Sequence, residues 1–340
     1  MPGISRKLNR LMLTGVLCIG FLAILTVAML RSRPSPATME EVTIAWAPFE
    51  PTALLCIADD RGFFSQNGLK VAIRRYDTGA ATIDGIVRGD ADISVGASEY
   101  PLVGQAFRKA PVRILGSIGK SEIIYLVARR DRGINTAADL KGKRVGTTVG
   151  TVADFFLGRY LELHGMTARD IARIDIKTPE GWVNAVAEGE IDAIATAQPS
   201  VNAAKTRLGT NAAVWKIQSS QPLYSLVTAT STWITRHPEA VNKFFAAMAQ
   251  AEEFTVQHPA AARAIVRKRF NLEAGYLETV WTQNQFALSL EQSLILAMED
   301  EARWMMKNKL TPDQHVPDFL AYISEDALKA IKPNAVHIIR

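Results

Sequence analysis

Hydrophobic and polar positions fall in short blocks along most of this chain, and the blocks alternate between two periods. The run 42–47 (VTIAWA) reads as a strand, and Pro48-Phe49-Glu50-Pro51 as a turn leading into a helix over 52–64. Asn67-Gly68 ends that helix, and 69–76 is a second strand. After Asp77-Thr78-Gly79, apolar Ala80, Ile83 and Val87 recur at helical spacing. Gly89-Asp90 stops this helix, 91–95 is a buried strand, and helix 101–109 and strand 112–117 follow. The order then restarts. Strands over 123–128, 143–147, 174–177, 191–196 and 213–217 alternate with helices over 136–140, 152–164, 181–187 and 199–207. Beyond a strand at 224–230 the pattern is mostly helical: 238–256, 259–270, 274–281, 290–308 and 317–322. Strand followed by helix, repeated, predicts an α/β fold with parallel sheets covered by helices.

One segment recurs. Ile86-Val87-Arg88-Gly89-Asp90-Ala91-Asp92-Ile93 is echoed by Val186-Ala187-Glu188-Gly189-Glu190-Ile191-Asp192-Ala193. Each copy is a helix end, a glycine suited to the positive φ of a helix stop, and an Asp opening a buried strand. Chance resemblance between two common joints would explain the echo; so would two similar α/β lobes. Such lobes bind ligands at the carboxyl ends of their strands. That rule marks Phe49 and Glu50, Thr78 and Gly79, Ser98 and Glu99, Ser121 and Glu122, Thr147 to Thr151, Trp182, and Gln198.

Charge adds a separate signal at the N-terminus. The chain of 340 residues carries a formal charge of +5. Arg6, Lys7, Arg10, Arg31 and Arg33 supply it, because the first 38 residues contain no acid and the remainder is balanced. A neutral body argues against nucleic acid as a partner. Between the basic residues, 11–30 is an uncharged apolar run (LMLTGVLCIGFLAILTVAML). It has the length of a membrane span, while Ser35-Pro36-Ala37 offers a poor cleavage site. Either an uncleaved anchor or a cleaved signal exports the body. It then works in the periplasm or at the outer face of the cytoplasmic membrane, held there by residues 11–30 if they are retained. Of two cysteines, only Cys56 lies in the body, so no internal disulfide is available to it.

Catalytic and metal motifs are not visible. The five histidines are scattered without ligand spacing. Gly96-Ala97-Ser98-Glu99-Tyr100 lacks the last glycine of a nucleophile elbow. Gly119-Lys120-Ser121 would need a glycine at Ile114 to be a phosphate loop. We therefore expect no enzyme activity, no cofactor and no metal. The richest segment is Val145-Gly146-Thr147-Thr148-Val149-Gly150-Thr151-Val152, a Gly/Thr strand end entering a helix. Its amides, with the hydroxyls of Thr147, Thr148 and Thr151, could cradle an anion. Thr151 with Asp154 could equally be a plain cap. Ser98 and Ser121 are candidate hydrogen-bond donors. Glu50, Glu99 and Glu122 could select a ligand group or simply favour helix starts. Phe49 and Trp182 could wall a pocket or pack in a core.

Several segments together resemble one family: Tyr76-Asp77-Thr78-Gly79-Ala80, Gly89-Asp90-Ala91-Asp92-Ile93, the run 134–146 with DLKGKRVG, Gly189-Glu190-Ile191-Asp192-Ala193, and His237-Pro238-Glu239-Ala240-Val241. The chain resembles the periplasmic solute-binding proteins of ABC importers, in the nitrate/sulfonate/taurine group with its thiamine-precursor relatives. The resemblance implies a type II periplasmic-binding-protein fold: two Rossmann-like lobes joined by two crossovers, near 120–122 and 224–230. Residues 39–120 plus 230–340 would form lobe one and 121–229 lobe two, with 1–38 as signal or anchor and linker. It further implies a monomer that captures a small, anionic organic solute between the lobes and docks on permease and ATPase subunits. Ala197 stands where taurine-type members carry Trp, which speaks against taurine itself. A membrane-anchored ligand sensor and a pyrimidine-binding relative are the alternatives.

Overall fold

A computed structural model describes residues 39–218 and 221–340. The apolar run 11–30 and its flanking charges lie outside the described residues. Among the described residues no helix is long and apolar enough to cross a membrane.

The strands form two main sheets. Sheet one contains β1 (Glu40–Trp46), β2 (Leu69–Arg75), β3 (Ile93–Ala97), β4 (Val112–Ser121), β10 (Leu223–Thr230) and the short β11 (Asn284–Gln285), in the order β11-β4-β10-β3-β1-β2. Sheet two contains β5 (Ile124–Arg129), β6 (Arg144–Thr147), β7 (Ala172–Asp175), β8 (Ala193–Ala197) and β9 (Ala212–Lys216), in the order β7-β6-β8-β5-β9. The two orders are the same pattern. In each, the lobe's first strand pairs parallel with two neighbours, and a strand arriving from the other lobe is inserted antiparallel beside them. The sheets are thus mixed, not parallel throughout as expected. The inserted strands β10 and β5 follow directly from the two crossovers, and strand direction leaves no mark on hydropathy. Because β10 lies in sheet one, the return crossing precedes it, between Lys216 and Leu223, rather than running through 224–230.

Helices of at least two turns are α1 (Ala53–Asp60), α2 (Gly79–Arg88), α3 (Glu99–Phe107), α4 (Val152–Leu163), α5 (Pro179–Glu188), α6 (Ser200–Leu208), α7 (Pro238–Gln257), α8 (Pro259–Phe270), α9 (Ala274–Trp281) and α10 (Gln292–Lys307). The stretch expected as one helix over 52–64 breaks at Gly62, whose φ of +69° lies in the left-handed region. Sheet one packs against α1 and α7 in one large core that includes Trp46, Leu54, Phe244 and Phe245. Sheet two has apolar clusters on both faces.

The internal echo has a structural basis. Gly89 and Gly189 cap α2 and α5 with the same φ of +81°. Asp92 accepts from the Thr43 amide at 2.8 Å, and Asp192 accepts from the Arg144 amide at 2.9 Å. In return the Asp92 amide donates to Thr43 O and the Asp192 amide to Arg144 O, each at 2.8 Å. Each aspartate thus ties the start of its lobe's third strand to that lobe's first. Two lobes of one design meet at the carboxyl ends of their parallel strands.

Candidate functional site

Strand ends set the boundaries of a cleft between the lobes. It encloses about 680 Å³ of space not filled by protein atoms, part of it open to solvent. Lobe one contributes Phe49 after β1, Thr78 and Gly79 at the start of α2, and Ser98 after β3. Lobe two contributes Thr148 after β6, Thr151 at the start of α4, and Trp182 from α5. Ile123, Ile124, Leu223 and Ser225 line it from the crossover segments. Seven of the marked residues therefore meet in one place: Phe49, Thr78, Gly79, Ser98, Thr148, Thr151 and Trp182.

Gly79 belongs there for reasons of space. A Cβ on it would sit 2.6 Å from both Ala97 Cα and Gly96 O, so only glycine lets α2 start against the end of β3. Thr78 caps that helix by accepting from the Ala81 amide at 3.2 Å. In lobe two Thr178 caps α5 in the same way. Trp182 is held by its ring N–H, which donates to Ile176 O at 2.8 Å and Thr148 Oγ1 at 3.0 Å. Its ring lies with Phe49 among the apolar walls of the cleft.

The anion cradle expected at 147–151 is instead a turn bonded to itself. The Thr148 hydroxyl donates to Ile176 O at 2.6 Å, and the Thr151 hydroxyl to Thr148 O at 2.7 Å. The Val149 amide donates to Asp175, the Gly150 amide to Asp154, and the Thr151 amide to Thr148 O. Thr147 is fully buried and does not line the cleft. Val152 and Ala153, the first residues of α4, line the cleft beside Thr148 and Thr151.

The acidic candidates are used elsewhere. Glu50 is buried, and the Tyr276 hydroxyl donates to its Oε1 at 2.5 Å. Burial pushes its carboxyl above the ordinary range, with that hydrogen bond opposing. Gln198 Oε1 lies 3.4 Å from the same hydroxyl and also accepts from the Asn202 amide. Glu50 and Gln198 are thus brought together around Tyr276, while the buried Glu50 Oε2 has no protein partner. Glu99 accepts from the Tyr224 amide at 3.1 Å and lies against Glu301 of α10, with both carboxyls fully buried. Ser121 is buried outside the cleft, its carbonyl accepting from Gln218 at 2.7 Å. Glu122 sits near Lys216, 3.9 Å away, on the surface.

Three groups not marked from sequence prove central. Thr196 and Ser225 are among the lining residues, and their hydroxyls are buried without a hydrogen-bond partner among the described residues. Gln218 links the crossovers: its amide donates to Ser121 O and Gln221 O and accepts from the Ile124 amide at 3.1 Å. Thr196 sits two residues before the marked Gln198, and Ser225 inside a strand buried on both faces, where no alternation singles it out. A polar residue directly after an apolar strand was the only trace of Gln218.

With this geometry in place, comparison with known proteins is specific. Residues 51–262 match the family model described as NMT1/THI5 like. The chain belongs to the NMT1/THI5-like family. A Brucella abortus protein named as a presumed binding protein is 27% identical over 242 residues, spanning 68% of this chain and 72% of that one. An Aspergillus parasiticus enzyme, 4-amino-5-hydroxymethyl-2-methylpyrimidine phosphate synthase, is 27% identical over 225 residues, spanning 62% and 64%. Among solved structures, the alkanesulfonate-binding protein SsuA from Xanthomonas axonopodis pv. citri, bound to MOPS, superposes with a TM-score of 0.73 at 19% identity. It covers 86% of this chain and 99% of that one. The two-lobed periplasmic-binding-protein fold is therefore that of this NMT1/THI5-like chain.

Proposed function

We propose that this chain is the solute-binding component of an ABC importer, working in the periplasm or at the outer face of the cytoplasmic membrane. One observation carries the reading: a cleft at the carboxyl ends of both sheets is lined by both lobes and by the segments that join them. A solute there touches both lobes at once, so it stabilises the closed arrangement over any open one. In this reading the bodies built on sheet one, 39–121 plus 223–340, and on sheet two, 124–216, are the moving parts, and Gln218 is the fixed point between the crossovers. The closed face would dock on a permease driven by its ATPase subunits. The Xanthomonas neighbour, an alkanesulfonate-binding protein bound to MOPS, supports a small organic anion as cargo.

Relatives in this family include both binding proteins and a synthase. The inner part of the cleft is lined by no histidine, cysteine, lysine or carboxylate, while Arg75, Asp77, Asp84 and Lys177 line the adjoining space that shares Thr78, Ala80, Thr148 and Thr151 with it. That composition favours capture over chemistry. A thermal-shift screen of sulfonates, aromatic acids, nitrate and pyrimidines on the full chain should find a solute that raises Tm. Cells lacking the gene should then lose uptake of that solute. Normal uptake without the gene would sink the importer reading, and conversion of the solute by the purified protein would replace it with an enzyme.

A further inference from the structure

Helix α10 belongs to two cores. Its Leu294, Ile295, Met298 and Ala302 pack in the large core of sheet one. Trp304, near its end, sits instead in an apolar cluster built mainly from lobe two, with Leu126, Val145 and the α4 residues Phe155, Phe156 and Leu157. Tyr100 of α3 crosses into the same cluster. Ring centroids lie 5.6 Å apart for Tyr100 and Phe155, and 5.4 Å for Phe155 and Trp304. All three side chains are buried. At the rim of this seam Lys307 of α10 pairs with Glu162 of α4 at 3.0 Å.

The seam adjoins the crossovers. Glu99, next to Tyr100, accepts from the Tyr224 amide, and Ile123, Ile124 and Leu223 belong to the same apolar cluster. Ser293, at the start of α10, is 2.8 Å from the Tyr224 hydroxyl.

Elsewhere the lobes are joined more weakly. Beside α9 the Tyr276 hydroxyl of lobe one lies 3.4 Å from Gln198 Oε1 of lobe two, and the Tyr125 hydroxyl donates to Gln283 Oε1 at 3.4 Å. Both distances are beyond the usual hydrogen-bond range. The space adjoining the cleft is lined by Arg75, Asp77 and Asp84 of lobe one and by Lys177 and Thr178 of lobe two, with no crossover residue. Its charges are engaged within their own lobes: Lys177 pairs with Asp175 at 2.6 Å, Asp84 accepts from Gln105 at 3.3 Å, and Arg75 lies over the Trp46 ring. Opening the seam would expose three aromatic rings, each able to bury about 150–250 Å². Parting the lobes on the other side gives up long polar contacts whose groups water can satisfy, so that motion costs far less.

We propose that α10 is a third, noncovalent strut of the hinge: the seam of Tyr100, Phe155 and Trp304 stays packed while the lobes part between Asp84 and Lys177 and the Tyr276–Gln198 contact breaks. This step rests on the solute-binding reading above, in which the lobes move, and it fixes the side that opens. A solute then enters past Thr78 and Thr148, not past α4 and α10.

Spin-label distances in the full, ligand-free chain test this, in a Cys18→Ser background so that only introduced cysteines react. Cys56 stays unlabelled, because it is buried and burial pushes its thiol up to about 12. One pair, Asp84→Cys with Lys177→Cys, spans the mouth. The other, Leu163→Cys with Arg303→Cys, uses exposed positions of α4 and α10 and spans the seam. The mouth pair should give a broad distribution with a longer-distance population, and the seam pair a single narrow one. Trp304→Ala should broaden the seam distribution, and Trp304→Phe, which keeps an apolar ring, should leave it narrow. A seam distribution as broad as that of the mouth would overturn the proposal. So would two narrow distributions, which would mean that the mouth does not open. An unchanged seam in Trp304→Ala would take the strut away from α10; if that variant fails to fold, the two pairs in the otherwise unchanged chain still decide. The uptake experiment judges the importer reading separately from all of these outcomes.

Discussion

Asp92 and Asp192 show what a single residue contributes. Each accepts a backbone amide from the first strand of its lobe, and Asp192 also holds the Arg144 guanidinium at 2.7 Å. The hydrogen bonds from Arg144 hold the Asp192 carboxyl below the usual carboxylate range. Asp192→Asn keeps the shape and loses the charge, so it should cost about 1–2 kcal/mol in urea unfolding, the upper part being trimmed by the exposure of Arg144. An unchanged midpoint would mean the joint is decorative. These aspartates were legible in sequence because the repeat put them 100 positions apart. Thr148 was legible only as a polar group near a helix start. That its hydroxyl is already bonded to Ile176 depends on a neighbour 28 residues away, which no local pattern reports.

At the scale of elements, the strands and helices followed hydropathy closely, and their directions did not. Both inserted strands, β5 and β10, run against their neighbours, since direction is decided by where the crossovers enter. The position of α10 was equally hidden. It belongs to the C-terminal helical region, yet its Trp304 packs with Phe155 of α4 and Tyr100 of α3, ring centroids 5.4 and 6.1 Å away. A Cβ on Gly158 of α4 would overlap the Trp304 ring, so this helix pair can approach only because 158 is glycine. Gly158→Ala should destabilise the fold by about 1–3 kcal/mol through overpacking, read as a lower Tm.

The same helix carries Glu301 against Glu99. Burial raises both carboxyls above the ordinary glutamate value of 4.5, and their proximity raises Glu301 further. The folded state therefore binds a proton more tightly than the unfolded chain. Stability from this pair is present at acid pH and declines as pH rises from about 4.5 through the raised folded value. Glu301→Gln should flatten that decline when Tm is followed from acid to neutral pH. An equally steep profile in the variant would show that the pair holds no shared proton.

At the scale of the molecule, two lobes of one topology and two crossovers tied by Gln218 enclose a cleft with largely apolar walls. The two-lobed plan was readable because a repeat, a strand–helix rhythm and a family resemblance all led to it. The interior of the cleft was only half readable. Strand ends told where it lies, while the contacts of Glu50, Glu99 and Gln198 with Tyr276, Tyr224 and Glu301 are distant in sequence and left no local trace. The most direct test is titration calorimetry of the full chain and of Trp182→Ala with the solute found by screening. The account predicts one site per chain, affinity lowered about tenfold or more in the variant through lost apolar contact in the cleft, and solute recovered unchanged. Equal affinity in the two proteins would place the binding site somewhere other than between the lobes and contradict the account.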